Sequence, residues 1–229
     1  MDIPHLVAFW ITIGIYLALM AFELAFAFFE KEKQRVLIKG FCVLPLAFLA
    51  IFFQPNLVGA LIMAGVLLGD LGDILLIFKK KMAFFALGSV AFLLGHFSYM
   101  ASMIVLFHEE LHWYIPVVFA GLLLLVWLLS LYPVHKIIKP YAICLPACFY
   151  LATLFIETLL AYFLAGVADE RMLITAIGAT IFLSSDIYLV KCNFYKHSKR
   201  EHFFIMLLYL VGQGLIVFGL LLSSGSFGI

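Results

Sequence analysis

Residues 65–81 read GVLLGDLGDILLIFKKK, and the fold turns on how this stretch is taken. Gly65 to Phe78 is apolar except for Asp70 and Asp73, and Lys79, Lys80 and Lys81 close the run. An ionised carboxylate in hydrocarbon costs on the order of several kcal/mol unless it is paired, hydrated or protonated. A membrane-crossing helix with two acids three residues apart therefore needs partners for them on other helices. The three lysines mark the end of the helix and so set the depth of both acids.

The rest of the chain supports the membrane reading. Of its 229 residues, 66% are hydrophobic and 12% are charged, against about 45–50% and ~25% in soluble domains. Mean hydropathy is +1.19. Cutting at the polar clusters leaves eight apolar segments, at 4–29, 36–53, 57–78, 83–107, 113–132, 139–165, 170–191 and 202–223. Each approaches the ~20 residues that a bilayer crossing requires. The second is short and the sixth long, so tilt or a kink near Pro146 is expected. Apolar runs without a period of two favour helices over barrel strands. The expected fold is all-α: a polytopic bundle of eight transmembrane helices forming one domain over residues 1–229. The N-terminus lacks a basic stretch and a small-residue cleavage site, so the first span is expected to be retained.

Charge then sorts the loops. Lys31, Lys33, Arg35 and Lys39 follow span 1, Lys79 to Lys81 follow span 3, and Lys136 and Lys139 follow span 5. Lys191, Lys196, Lys199 and Arg200 follow span 7, which places all but one of the 14 basic residues on one face. The other face has Arg171 beside Asp2, Glu109, Glu110, Asp169 and Glu170. The positive-inside rule makes the basic face cytoplasmic and puts both termini on the non-cytoplasmic side. A net charge of +1 gives no argument for a nucleic-acid partner, and none is expected.

Orientation gives each embedded polar residue a depth. Asp70 and Asp73 fall in the cytoplasmic half of span 3, and Asp186, in GATIFLSSDIYLV, is level with Asp73 on span 7. Glu23 on span 1 and Lys39 at the start of span 2 come to a comparable level. Tyr209 and Gln213 share a face of span 8, and His96 and Tyr99 lie near the midplane of span 4. Glu157, in the outer half of span 6, stands apart. Such a convergence reads as a polar cavity open toward the cytoplasm. Blander readings stay open: Glu23 pairs with a cytoplasmic lysine, Asp70 serves packing, His96 is a satisfied core histidine, and Tyr99 bonds a carbonyl. Gly69, Gly72, Gly88 and Gly95 read as close helix contacts. Cys42, Cys144, Cys148 and Cys192 read as small hydrophobes, with no disulfide or zinc framework.

Paired carboxylates in a low-dielectric pocket cannot comfortably both ionise, so one acts as acid and the other as base. That suits metal-free hydrolysis of an acid-labile ether or acetal. It also suits a proton-coupled transporter, and a lipid-binding protein is a third class. Transport is disfavoured by the lack of an evident inverted repeat or Gly/Pro-broken helix pair. A zinc hydrolase would need several intramembrane histidines, and only His96 lies inside a span. The HEELH run at 108–112 sits in a short external loop without a third ligand. No metal or cofactor is expected, and no GxSxG elbow is present.

The segments LLGDLGDILLIF (67–78) and FFALGSVAFLLGHFSYM (84–100) resemble the lysoplasmalogenase family of membrane proteins, the YhhN-like proteins. GATIFLSSDIYLV is similar to the family's G-x-x-x-F-x-x-SD motif, and LLYLVGQGLI (207–216) to its Tyr-x-x-x-Gln. The resemblance runs from about residue 36 to 220 and implies eight spans. It implies hydrolysis of the vinyl ether bond of lysoplasmalogens to a fatty aldehyde and glycerophosphoethanolamine or glycerophosphocholine. The family's aspartate pair falls on Asp73 and Asp186, with Lys39, His96, Tyr99, Tyr209 and Gln213 as supporting positions. Asp70 departs from the family pattern, and Glu23 joins the set by depth alone. Partners implied are a lysophospholipid substrate and membrane lipid, in a bacterial inner membrane or a eukaryotic endomembrane. Asp70, as a neighbouring like charge, favours Asp73 as the acid, and Lys39 is placed to meet the substrate phosphate.

Overall fold

Inside a bilayer, backbone N–H and C=O groups have no water to bond, so apolar runs close their own hydrogen bonds as helices. The structure is a computed structural model that describes residues 3–29, 31–78, 82–109, 111–112, 114–137, 141–194 and 199–225. Nine helices follow one another among these residues. They are α1 (Ile3–Phe28), α2 (Glu32–Lys39), α3 (Leu44–Phe53), α4 (Leu57–Ile77) and α5 (Met82–Leu106). Then come α6 (Tyr114–Ile137), α7 (Tyr141–Val167), α8 (Met172–Phe194) and α9 (Lys199–Ser223). Seven of them, all but α2 and α3, are long and apolar enough to cross a membrane.

The expected second span, 36–53, is instead divided. Gly40 ends α2, and α3 restarts at Leu44 with Pro45 in its first turn, where a missing N–H costs nothing. Ten residues of α3 reach ~15 Å, half of the ~30 Å hydrocarbon thickness. The sixth expected span behaves differently, since α7 runs through Pro146 as one helix.

Contacts along the helices fix the packing. α1 and α9 are antiparallel: Phe9 meets Phe218, Tyr16 donates to the Leu210 carbonyl at 2.5 Å, and Phe28 meets Phe203. The α2–α3 pair returns along α1, starting at Glu23, 3.4 Å from Arg35, and ending where His5 stacks near Phe52 and Phe53. α4 and α5 form one close antiparallel pair and α8 and α9 another, with α7 against both α5 and α8. The α4–α5 approach requires glycine. A Cβ on Gly65 would come within 2.5 Å of the Tyr99 ring, and one on Gly72 within 2.6 Å of Phe92. α6 lies at the margin, packs on α7, and exposes Leu124, Leu125, Leu128 and Leu129, as a lipid-facing helix does.

Lys79, Lys80, Lys81, Lys139, Lys196, Asp2 and Glu110 lie outside the described residues, as do the side chains of Lys33, Lys199 and Arg200. The charge rule for the loops therefore draws on the sequence at those positions.

Candidate functional site

The polar groups that the helices bury form linked pairs at the centre of the bundle. Lys39, the last residue of α2, reaches Asp73 on α4, with Nζ 2.8 Å from Oδ1. The helix break that follows Lys39 explains this reach. A continuous span would have continued past α4, whereas the chain turns at Gly40 and leaves the lysine pointing at the acid. Asp70, one turn earlier on α4, is buried with Oδ1 unbonded, and its electrostatic neighbours are Asp73 and Lys39.

Asp186 on α8 is held differently. It accepts a hydrogen bond from the Tyr150 hydroxyl of α7, and Asp73, His96 and Lys39 lie within its electrostatic reach. The structure therefore brings Asp73 and Asp186 into one site, where Asp73 is ion-paired with Lys39 and Asp186 is bonded by Tyr150. Tyr209 on α9 is buried with its hydroxyl against the Asp73 carboxylate, and Asp186 is a further electrostatic neighbour. Gln213, a turn further along α9, donates from Nε2 to the Tyr99 hydroxyl at 2.5 Å. Gly69 lies beneath both: a Cβ there would sit 3.8 Å from Gln213 Nε2 and 4.0 Å from the Tyr209 oxygen.

One sequence expectation changes. Glu157, which depth had set apart, accepts a hydrogen bond from His96 Nδ1 at 2.6 Å, with both residues buried. α5 and α7 pack closely enough for the two side chains to reach one another across their difference in level. Glu23 lies 3.4 Å from Arg35, while the Lys33 side chain lies outside the described residues. Sequence reasoning missed Tyr150 and Arg35. Tyr150 carried one usable signal: it stands seven residues before Glu157, on the same face of α7.

Charge balance defines what the site can do. Glu23, Asp70, Asp73, Glu157 and Asp186 are all buried. Among the described residues, Arg35 and Lys39 face these acids, with His96 as a further group able to carry charge. Uncompensated charges are costly in a low-dielectric interior, so a cluster richer in acids than in cations among the described residues suits the taking up and giving off of protons. A buried site with both a retained proton and a free carboxylate is equipped for acid–base chemistry. Among the described residues no three His, Cys, Asp or Glu side chains are grouped as a metal cage requires. Of the HEELH run, His108 is exposed and lies 3.1 Å from the Val105 carbonyl of its own turn. The four cysteines are free and buried, with Cys42 in the α2–α3 break near Lys39, Asp70 and Asp73.

Next to this polar centre, α1, α3 and α9 enclose an apolar cavity of about 220 Å³. Ile13, Leu17, Leu49, Val211, Leu215 and Phe218 are among its walls, and Tyr16 stands in it. Val211 and Leu215 flank Gln213 along α9, so cavity and polar centre share that helix.

An all-helical, multi-pass membrane protein with a buried acidic centre is thus defined by fold and site together. Residues 34–220 match the model of the YhhN family, and the chain belongs to this family of lysoplasmalogenase-like proteins. Neither the curated proteins nor the solved structures compared with the chain give a match.

Proposed function

We propose that the chain is a membrane-embedded hydrolase that cleaves the vinyl ether bond of lysoplasmalogens with Asp73 and Asp186. The observation that carries the reading is the unequal partnering of the two acids: Lys39 beside Asp73, Tyr150 on Asp186. A cation at 2.8 Å favours a carboxylate that stays charged, whereas Asp186 is buried with no ion-pair partner among the described residues, the setting in which a carboxyl keeps its proton. The roles are therefore Asp186 as proton donor and Asp73 as the carboxylate, the reverse of what Asp70 alone suggested.

The chemistry closes as a cycle. Asp186 gives its proton to the alkenyl carbon remote from oxygen, and the π pair forms the new C–H bond. The resulting oxocarbenium ion lies near the Asp73 carboxylate. Water adds to it and loses a proton to Asp73, giving a hemiacetal. Asp73 then protonates the glycerol oxygen as that C–O bond breaks, while the hemiacetal hydroxyl returns its proton to Asp186. Aldehyde and glycerophospho-alcohol leave, and both acids are reset. The logic parallels two-carboxylate glycoside cleavage. Lys39 is occupied by Asp73, so it serves the base rather than the substrate phosphate. The apolar cavity beside the site suits the single alkenyl chain of the substrate.

Placement follows from the same reading. The α2–α3 pair completes an eighth, broken crossing, both termini face the non-cytoplasmic side, and the site opens toward the cytoplasmic half of a bacterial inner membrane or a eukaryotic endomembrane. The broken pair also favours a second reading, proton-coupled transport, because transporters place binding sites at discontinuous helices. A matching break in the other half is missing among the described residues, where α6 to α9 are continuous.

Purified protein given lysoplasmalogen in detergent micelles decides between them. Aldehyde release that persists in EDTA and spares ester lysophospholipids supports the hydrolase. Saturable binding without product, or substrate crossing liposomes unchanged with a pH-dependent rate, rejects it.

A further inference from the structure

The His96–Glu157 pair has no part in the scheme above, yet both of its side chains are almost fully buried. Glu157 is 1% and His96 2% exposed. Glu157 Oε2 lies 2.6 Å from His96 Nδ1, and its other oxygen is buried without a hydrogen bond. A carboxylate buried in a membrane protein is expensive, and such a residue is functional by default. The ring it holds is fixed on three further sides: Phe182 at 4.7 Å, Tyr99 at 6.0 Å and Tyr150 at 6.0 Å between centroids. Tyr150 is the residue that bonds Asp186.

We propose that Glu157 is a positioning residue that acts through His96, holding the imidazole with Nδ1–H toward itself and Nε2 toward the Tyr150–Asp186 pair. A carboxylate on one ring nitrogen selects the tautomer and orientation of a histidine, so the opposite nitrogen presents a defined face. The groups around the ring are Glu157 and Tyr150 on α7, Tyr99 on α5 and Asp186 on α8. Asp186 in turn faces Tyr150, His96, Asp73 and Lys39. Glu157 touches no substrate in this arrangement. Its effect is to keep the Asp186 carboxyl in one geometry during the proton step, so losing it lowers turnover and leaves substrate binding alone. That catalytic consequence rests on the hydrolase reading.

The test combines a spectrum with kinetics. Protein labelled with ¹⁵N-histidine, with His96 assigned by its loss in His96→Gln, should show a protonated Nδ1 with a low-field, strongly hydrogen-bonded proton. Glu157→Gln should lose that low-field proton. With lysoplasmalogen in micelles, Glu157→Gln should lower kcat by about 10- to 100-fold, as removal of a ligand-orienting partner does, with KM unchanged. An unprotonated Nδ1 in the wild type overturns the proposal. So does an unchanged kcat in Glu157→Gln when the wild type releases aldehyde. A wild type that shows the Nδ1–H signature but releases no aldehyde removes the hydrolase reading and leaves the assigned geometry standing.

Discussion

Lys39 and Asp73 meet at 2.8 Å across a break in the helical chain, the lysine ending α2 and the acid near the C-terminal end of α4. Both side chains are mostly buried, so each is the other's main compensation. Removing one partner of such a pair leaves an uncompensated charge, at about 3–5 kcal/mol. Lys39→Met should therefore lower the detergent melting temperature and reduce kcat by on the order of 10²-fold. Lys39→Arg keeps the charge and should retain more activity than Lys39→Met. Equal rates for the two variants would show that the cation is unnecessary.

Tyr150 and Asp186 make the second acid distinct from the first. Asp73→Asn and Asp186→Asn should each lose roughly 10²–10⁴-fold in kcat, and the double variant should lose little more than either alone, since the pair acts as a unit. Tyr150→Phe keeps the ring and deletes one hydrogen bond, so its loss should be smaller. Rates of aldehyde release on folded protein check all four. Near-normal rates in both single Asn variants would place the chemistry elsewhere.

Much of this site was readable because a membrane makes polar residues conspicuous. Asp73 and Asp186 stood out from their apolar spans, and the lysine runs fixed their depth, so two acids far apart in sequence could be set level. Partners were harder to see. Tyr150 lies in a span already rich in aromatics, and nothing in its neighbours distinguishes a hydroxyl that bonds an acid from one that bonds a carbonyl. Glu157 stood apart because counting residues gives the level of a backbone position and not the reach of two long side chains on adjacent helices. The break after Lys39 was hidden for another reason. Gly40 and Pro45 are each tolerated within membrane helices, and only packing against α1 and α4 decides that the chain divides there.

Gly65 shows how tightly the site is seated. Its missing side chain leaves room for the Tyr99 ring, which is 1% exposed and tied to Gln213. Gly65→Ala puts a methyl 2.5 Å from that ring, and neither α4 nor the ring has free space to yield. Overpacking of this kind costs about 1–3 kcal/mol. The variant should melt earlier and lose activity, and Tyr99→Phe should cost activity with less effect on melting. A Gly65→Ala protein as stable as wild type would contradict the packing.

At the α7–α8 turn, well away from the acids, Asp169 accepts from the Arg171 backbone N–H at 3.0 Å and from its Nε at 3.1 Å. Partial burial pushes the Asp169 carboxyl up, and the Arg171 bonds more than offset this, holding it below the usual carboxylate range. A carboxyl whose folded-state pKa is depressed contributes stability above its unfolded value, and that contribution is lost as pH falls through the folded value. Asp169→Asn should thus lower stability near neutral pH by under about 1 kcal/mol, as exposed pairs do. The difference from wild type should shrink and then vanish as pH falls below the ordinary aspartate range, with kcat untouched throughout. Melting curves across pH read this directly, and a gap that widens in acid would reverse the sign.

The apolar cavity between α1, α3 and α9 separates chain recognition from chemistry. Val211 lines it, two residues before Gln213, so a larger side chain there takes up cavity space without entering the acid pair. Each methylene displaced from an apolar site forfeits about 0.8 kcal/mol. Val211→Trp, by excluding two of them, should raise KM for a long-chain lysoplasmalogen about tenfold while leaving kcat close to wild type. A short-chain analogue does not need the occupied space, and its KM should stay where it is. Leu17→Trp fills the same cavity from α1 and should repeat the pattern. An equal rise in KM for both chain lengths would mean that the tail lies elsewhere, because only an occupant of this cavity can make the penalty depend on chain length.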